Sequence, residues 1–159
     1  MIIDQATNAI KESERFKAVL AYREKGLSVI PVGDDKRPLI AWKEFQERLA
    51  SEDELLSWWI SWPGANIGVV TGKISGISVI DCDTREAIAA IEDWLPDSFL
   101  CPIVGTPRGG RHYWLLYTEK LKTGNGIQPG IDIKNDGGYV LAPPSLTPRG
   151  IYEWICHGE

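Results

Sequence analysis

The sequence predicts an α+β fold in which helices pack against a mainly antiparallel sheet. Three helical segments lie before residue 96, short β-branched runs dominate the second half, and glycine-containing turns separate several of these runs closely enough for hairpins. With 159 residues, of which 43% are hydrophobic and 25% charged, the chain suits one globular domain with a substantial core. We therefore expect a single domain over residues 1–159.

Local end signals mark the three helices. The predicted helices cover residues 6–25, 51–59 and 85–95. Gly26 is a natural stop for the first, whose apolar side chains fall on one face. Ser51 and Glu54 form a capping box at the start of the second. Thr84 is the expected N-cap of the third, and Pro96 closes it.

Eight apolar runs predict strands, and six of these strands are expected to pair as three hairpins. The predicted strands cover residues 27–32, 66–70, 77–83, 101–106, 111–117, 131–134, 139–142 and 151–155. The turn at residues 72–76 joins the second and third, the turn Arg108-Gly109-Gly110 joins the fourth and fifth, and the turn at residues 135–138 joins the sixth and seventh. Each turn suits a hairpin.

Composition and end sequences exclude several classes of protein. No apolar run approaches the roughly 18 residues that span a bilayer. The first residues lack the basic and apolar regions of a signal peptide, so we expect a cytoplasmic protein. The three cysteines have no CxxC spacing, which disfavours a disulfide framework or structural zinc. A net charge of −5 implies that contact with nucleic acid is local and weakens with salt.

The pair Asp81 and Asp83 is the sharpest chemical feature. Strand residues alternate between faces, so both carboxylates project from one side while Cys82 points to the other. At about 4 Å and an effective dielectric near 20, two such charges repel by about 4 kcal/mol. Divalent cations remove this cost most simply, because oxygen ligands suit them. Two solvated acids at a strand end explain the same pattern equally well.

A glycine-rich turn at residues 106–114 is the second feature. Glycines let the backbone approach a ligand, and exposed N–H groups in such turns bind anions. Arg108 and Arg111 add donors that suit phosphate, and His112 in the following strand is placed to hydrogen-bond a phosphate oxygen. A plain hairpin turn beside a packed histidine is the alternative, and a lone Gly109-Gly110 pair favours it.

The third feature is Asp132, which stands between two isoleucines on the same strand face as Lys134. A solvated position on an amphipathic strand explains it as well. Each feature alone is weak, but each is a strand that presents one polar face. A sheet face that offers Asp81, Asp83, Asp132, His112 and Lys134 is typical of a metal and phosphate site.

From about residue 18 to 154 the chain resembles the N-terminal domain of bifunctional DNA primase-polymerases, in the archaeo-eukaryotic primase superfamily. The matching elements are Ala21-Tyr22, Gly26-Leu27, Lys36-Arg37-Pro38, Trp42-Lys43, Asn66-Ile67-Gly68, Thr71-Gly72, Ser75-Gly76-Ile77, Asp81-x-Asp83, Gly109-Gly110-x-His112, Gly130-Ile131-Asp132-Ile133, Gly137-Gly138-Tyr139, Ala142-Pro143-Pro144-Ser145 and Gly150-Ile151-Tyr152-Glu153-Trp154. Arg108 departs from the pattern, which has a small residue such as serine before the glycine pair.

The resemblance implies a catalytic sheet like that of an RNA-recognition motif (RRM), with an N-terminal α/β unit beside it. It implies that the metal-binding, catalytic carboxylates are Asp81, Asp83 and Asp132, which would hold Mg²⁺ or Mn²⁺. It implies that His112 binds the nucleotide's phosphates. By position near the triphosphate, the further nucleotide-binding candidates are Arg108, Gly109, Gly110 and Lys134.

Tyr139 is a separate candidate for nucleotide binding. It follows Gly137-Gly138 at the start of a strand expected to return toward the metal site, where its ring would contact the nucleotide's sugar. An aromatic residue packed in the core is the equal alternative, since strands are enriched in tyrosine.

The resulting hypothesis is a metal-dependent nucleotidyltransferase, a DNA primase or DNA polymerase that serves replication. Its expected partners are nucleoside triphosphates and a single-stranded or primed DNA template, with no membrane. Related proteins continue into a helical or helicase domain, so the chain is either an excised catalytic domain or a naturally short one. The alternatives are an inactive nucleotide- or nucleic-acid-binding module and a metal-dependent nuclease.

Overall fold

The described part of the chain forms an α+β structure built from two larger antiparallel sheets, a short two-stranded hairpin and four α-helices. The computed structural model describes residues 2–97 and 99–158. The helices are α1 (Ile2–Glu12), α2 (Glu14–Glu24), α3 (Glu52–Ser61) and α4 (Arg85–Trp94), with a 3₁₀ turn at Lys43–Gln46. None of the helices in this part of the chain has the length and apolarity needed to cross a membrane.

The strands divide between a small sheet, a large sheet and a short hairpin. They are β1 (Ser28–Val32), β2 (Asn66–Val70), β3 (Ile77–Cys82), β4 (Pro102–Gly105), β5 (Arg111–Leu116), β6 (Gly124–Gln128), β7 (Ile131–Lys134), β8 (Tyr139–Ala142), β9 (Leu146–Thr147), β10 (Gly150–Ile151) and β11 (Glu153–His157). The small sheet has the order β1-β2-β8, and the large sheet has the order β11-β4-β5-β3-β7-β6. Strands β9 and β10 pair with each other.

Of the three expected hairpins, only β4–β5 is confirmed. The other two are wrong, because β2 and β8 pair with each other in the small sheet while β3 and β7 pair in the large one. Both edges of β3 are already occupied, by β5 and β7, so β2 has no edge of β3 to join. The two turns are therefore crossovers between the sheets. They lie side by side, with Thr71 Oγ1 donating to Asn135 O at 2.7 Å.

The predicted first helix is two helices. Ser13 interrupts it, and its side chain accepts a hydrogen bond from Phe16 N as the N-cap of α2. A serine hydroxyl can accept a hydrogen bond from a nearby backbone N–H, and this bond competes with the hydrogen bonds of a continuous helix. The predicted capping box of Ser51 and Glu54 and the Thr84 cap are both confirmed. The predicted last strand is likewise divided, because Gly150–Ile151 pairs with β9 whereas Glu153–His157 pairs with β4.

Two apolar clusters lie on opposite faces of the large sheet. Val79 and Val104 belong to the larger cluster, which contains side chains of the small sheet, α2 and α3. Ile80 and Cys82 belong to the smaller cluster, together with Ile91 of α4. Because neighbours on a strand face opposite ways, Asp81 shares the face of Val79. The polar part of that face therefore lies beside the contact between the two sheets.

Candidate active site

Three polar side chains form a row across the middle of the large sheet. On β3, Asp81 is paired in register with His112 on β5 and with Asp132 on β7. Paired positions on adjacent strands place their side chains on the same face. The three residues are separated by 20 to 51 positions in sequence, so the sheet register brings them together.

Asp83 lies one step along the same face, just past the end of β3. Its backbone N–H donates to Gly130 O at 2.8 Å, which continues the β3–β7 ladder by one residue. The side chain is exposed. The structure thus places Asp81 and Asp83 on one side of the strand, as the alternation predicts.

The turn that joins β4 to β5 lies against the end of β3. A Cβ on Gly110 would lie 2.7 Å from both Cys82 O and Thr106 Oγ1, so only glycine fits the observed backbone there. Gly109 has a φ of +80°, a conformation that favours glycine. The turn thereby brings its backbone close to the two aspartates.

Most of the site residues predicted from the sequence line one cleft of about 660 Å³. Of the residues predicted from the sequence, the cleft contains Asp81, Asp83, Arg108, Gly110, His112, Lys134 and Tyr139. Gly109 and Asp132 are not among its lining residues. The β9–β10 turn forms another part of the wall, since a Cβ on Gly150 would lie 3.3 Å from Pro107 Cβ.

His112 and Asp81 face each other with unsatisfied polar atoms. His112 Nε2 lies 3.4 Å from Asp81 Oδ1, which is long for a hydrogen bond. Asp81 Oδ1 and His112 Nδ1 are buried and have no hydrogen-bond partner. Buried polar atoms are nearly always paired, so two orphans at the wall of one cleft indicate a ligand position.

The electrostatics of the two aspartates differ. Burial raises the pKa of the Asp81 carboxyl, but the adjacent His112 and the more distant Lys134 lower it by more, and the pKa lies below its ordinary value. Burial also raises the pKa of Asp83, and the negative charges of Asp81 and Asp132 raise it further. Asp83 therefore experiences the carboxylate repulsion that a bound cation would remove.

One carboxylate oxygen of Asp132 is already engaged by the backbone. Its Oδ1 accepts a hydrogen bond from Gly126 N at 2.6 Å, in the bend of β6. Among residues 2–97 and 99–158, no three His, Cys, Asp or Glu side chains converge closely enough to hold a metal ion. The backbone register of Asp132 suits a shared site with Asp81, and its charge raises the pKa of Asp83, while its Oδ1 is held by Gly126 N.

Lys134 and Tyr139 occupy the side of the cleft nearest the small sheet. Lys134 Nζ donates to Asn125 Oδ1 at 3.0 Å. The hairpin expected to carry Tyr139 does not exist, yet Tyr139 lines the cleft because β8 belongs to the opposing sheet. Its ring meets Trp42 edge-on, with centroids 5.2 Å apart, and its hydroxyl donates to Lys36 O at 2.6 Å.

Two cations of the cleft were not predicted from the sequence as site residues. Lys36 lies in the loop after β1, and Arg149 lies in the β9–β10 turn. Lys36 lies two residues before Pro38 and Arg149 directly follows Pro148, which identifies loops but does not identify the cavity that a loop meets.

A comparison with family models covers the whole of this site. The model described as "Bifunctional DNA primase/polymerase, N-terminal" matches residues 19–159. No curated protein matches the chain.

Proposed function

Since the chain belongs to the family of bifunctional DNA primase/polymerase N-terminal domains, we propose that its cleft joins nucleotides on a DNA template. The observation that carries this proposal is the row of Asp81 and His112 across paired strands, with Asp83 and the Gly110 turn beside it in one cleft. We further propose that the large sheet is the RRM-like catalytic sheet of this family, because a helix covers one of its faces and the row lies on the other.

The proposed reaction is an in-line phosphoryl transfer. A bond forms between the primer 3′-oxygen and the α-phosphorus of the incoming nucleotide, and the bond from that phosphorus to the bridging oxygen breaks. Pyrophosphate leaves and the 3′-hydroxyl loses its proton. Because no protein nucleophile takes part, the side chains of the cleft act by positioning and by charge.

The donor set fits a divalent metal ion by its chemistry. Asp81 Oδ1 is buried without a hydrogen-bond partner, and oxygen ligands suit Mg²⁺ and Mn²⁺. Asp81 and Asp83 would hold the ion, and Asp132 would join them once its carboxylate leaves Gly126. A bound ion of this kind supplies charge neutralisation on the phosphates and a lower pKa for the attacking hydroxyl.

The remaining residues of the cleft bind and orient the phosphates. Among the described residues His112 Nδ1 has no hydrogen-bond partner, and the His112 ring lies 6.1 Å from that of Tyr152. Arg108 lies beside the Gly110 turn at the end of β3 and offers guanidinium donors, and Lys134 adds positive charge from β7. Tyr139 lies across the cleft, where its ring would contact the nucleotide's sugar.

Positive charge in the cleft offsets the net charge of −5 of the whole chain. The cations are Lys36, Arg108, Lys134 and Arg149. Primed or single-stranded DNA and nucleoside triphosphates both carry the phosphates that such a cluster attracts. We therefore propose that both bind in this cleft and that their binding weakens with salt.

Extension of a labelled primer tests the proposal. The protein is incubated with a primer–template, all four dNTPs and Mn²⁺ or Mg²⁺, and the products are separated by length. Extension that requires template and metal supports the proposal. Shortening of the primer would instead indicate a nuclease, and an unchanged primer with bound dNTP would indicate an inactive binding module. The same assay is run on the metal-ligand variant Asp83→Asn. Its matched control is Asp93→Asn, which changes an exposed acid on α4.

A further inference from the structure

Lys36 has a backbone conformation that a lysine rarely adopts. Its φ is 66°, and it is the only non-glycine residue with a positive φ in residues 2–97 and 99–158. A Cβ makes this region unfavourable, so the conformation persists only where the surrounding structure enforces it. Such strain is concentrated at binding and catalytic sites.

Several hydrogen bonds hold the loop in this shape. Gly33 N donates to Arg37 O at 2.8 Å, and Lys36 N donates to Gly33 O at 2.9 Å, which closes a tight turn after β1. From β8, at the opposite edge of the small sheet from β1, the Tyr139 hydroxyl donates a hydrogen bond to Lys36 O at 2.6 Å. The Tyr139 ring is itself held against Trp42. The backbone of Lys36 is thus anchored both by its own loop and by β8.

The Lys36 side chain lines the cleft beside the two aspartates. Its charge is close enough to interact electrostatically with Asp81 and with Asp83. It nevertheless forms no salt bridge with any residue in the described part of the chain. Lys134, by contrast, is engaged by Asn125. Lys36 therefore presents an exposed ammonium group toward a cleft that contains carboxylates.

A turn requirement alone does not explain a lysine at this position. Glycine adopts a positive φ without a steric cost, and asparagine adopts it more readily than lysine does. No hydrogen bond or salt bridge of the Lys36 side chain with a described residue offsets the strain, which favours a contribution through something that binds in the cleft.

We propose that Lys36 is a phosphate-binding residue of the cleft and that Tyr139 positions it through the hydrogen bond to its carbonyl. The proposal rests on the proposed function, because phosphate is the group shared by the nucleotide and the primer. The ammonium contacts either the triphosphate of the nucleotide or a backbone phosphate of the primer, and both sources place the same anion beside Asp81 and Asp83.

The test uses variants that separate strain from charge. Lys36→Gly removes the side chain together with the backbone strain, and Lys36→Arg keeps the charge. Arg37→Ala removes the same charge one residue away, from a side chain that does not line the cleft. Melting temperature, binding of dATP with Mn²⁺ by calorimetry, and binding of primer–template by fluorescence anisotropy over a range of salt are measured for each.

We expect Lys36→Gly to melt at or above the wild-type temperature and to bind phosphate less well. If the phosphate belongs to the nucleotide, dATP binds about tenfold more weakly and DNA binding is unchanged. If the phosphate belongs to the primer, DNA affinity falls and the negative slope of log K against log salt becomes less steep by about 0.9. Lys36→Arg and Arg37→Ala should resemble the wild type. Unchanged binding of both ligands by Lys36→Gly would overturn the proposal.

A double-mutant cycle tests the part that Tyr139 plays. Tyr139→Phe keeps the ring and removes only the hydroxyl. It should weaken the same binding step in the wild type by about threefold and have no effect in Lys36→Gly. An equal effect in both backgrounds would show that the hydroxyl does not act through Lys36. These binding measurements do not depend on catalysis. A wild-type protein that fails to extend primers would therefore reject the proposed function, while the Lys36 proposal would still be decided by the binding measurements.

Discussion

His112 Nε2 lies 3.4 Å from Asp81 Oδ1, at positions that are paired directly across β5 and β3. The distance is too long for a good hydrogen bond. The other ring nitrogen, His112 Nδ1, is buried and has no hydrogen-bond partner among the described residues. The pair therefore does not satisfy itself, which is the arrangement expected of groups that bind a ligand. This relationship underlies the first two predictions.

Asp83→Asn should lose activity without losing stability. At neutral pH the charged form of Asp83 is disfavoured by burial and by repulsion from Asp81 and Asp132, which raise its pKa. Replacing it with a neutral isostere removes that repulsion, so the melting temperature should stay equal or rise. Primer extension should fall by at least about 100-fold, which corresponds to roughly 3 kcal/mol of lost charge stabilisation. Unfolding of the variant, or wild-type activity in it, would contradict the role of a metal ligand.

His112→Gln should affect nucleotide binding less than His112→Ala does. A hydrogen bond to a charged group contributes about 1.5–3 kcal/mol, so the alanine variant should raise the apparent KM for dNTP by roughly 10- to 100-fold. The glutamine amide still donates and should recover part of the loss. DNA binding by the protein without nucleotide should not change. Equal KM values in wild type and both variants would show that His112 only packs against Tyr152.

Tyr139→Ala should reduce discrimination against ribonucleotides. The ring lines the cleft opposite Asp81, where it would crowd a 2′-hydroxyl. The ratio of dATP to ATP incorporation efficiency should fall in Tyr139→Ala and stay high in Tyr139→Phe, which keeps the ring. A change of less than about twofold in the alanine variant, under roughly 0.4 kcal/mol, would show that Tyr139 is not a sugar gate.

Gly110→Ala should destabilise the protein more than Gly109→Ala. An added Cβ at Gly110 would lie 2.7 Å from a backbone oxygen, whereas at Gly109 it would meet open space and pay only for the positive φ. We expect about 1–3 kcal/mol of lost stability for Gly110→Ala from overpacking, and about 1 kcal/mol for Gly109→Ala. Denaturant unfolding measures both. Equal losses would mean that the turn does not press against β3.

Glu54 gives a stability contribution that depends on pH. Its carboxylate accepts from Ser51 N at 2.8 Å and from the guanidinium of Arg48, and these contacts lower its pKa from 4.5 to about 2. A depressed pKa means that the contribution is present above pH 4.5 and is lost as the pH falls toward 2. The melting temperature of Glu54→Gln should therefore lie below the wild type at pH 7 and approach it near pH 2. A constant difference across this range would contradict the assignment.

Local signals predicted much of this structure. The caps at Ser51 and Thr84 depend on side chains that hydrogen-bond the backbone a few residues away, and both are where the sequence places them. The shared face of Asp81 and Asp83 follows from strand alternation alone. The β4–β5 hairpin was predictable because a short glycine turn leaves its two strands no nearer partner. These features need no information from distant parts of the chain.

Tertiary structure decided the pairings that join distant strands, such as β2–β8 and β3–β7. The turns at residues 72–76 and 135–138 have the composition of hairpins, yet both lead from one sheet to the other. Strand pairing is chosen by which edges remain free and by which faces can be buried, and neither is written in a local pattern. That choice put Tyr139 and Lys36 into the cleft that contains Asp81. The sequence by itself determined which residues can do chemistry on each strand, and the pairing of distant strands determined which of them face the same cleft.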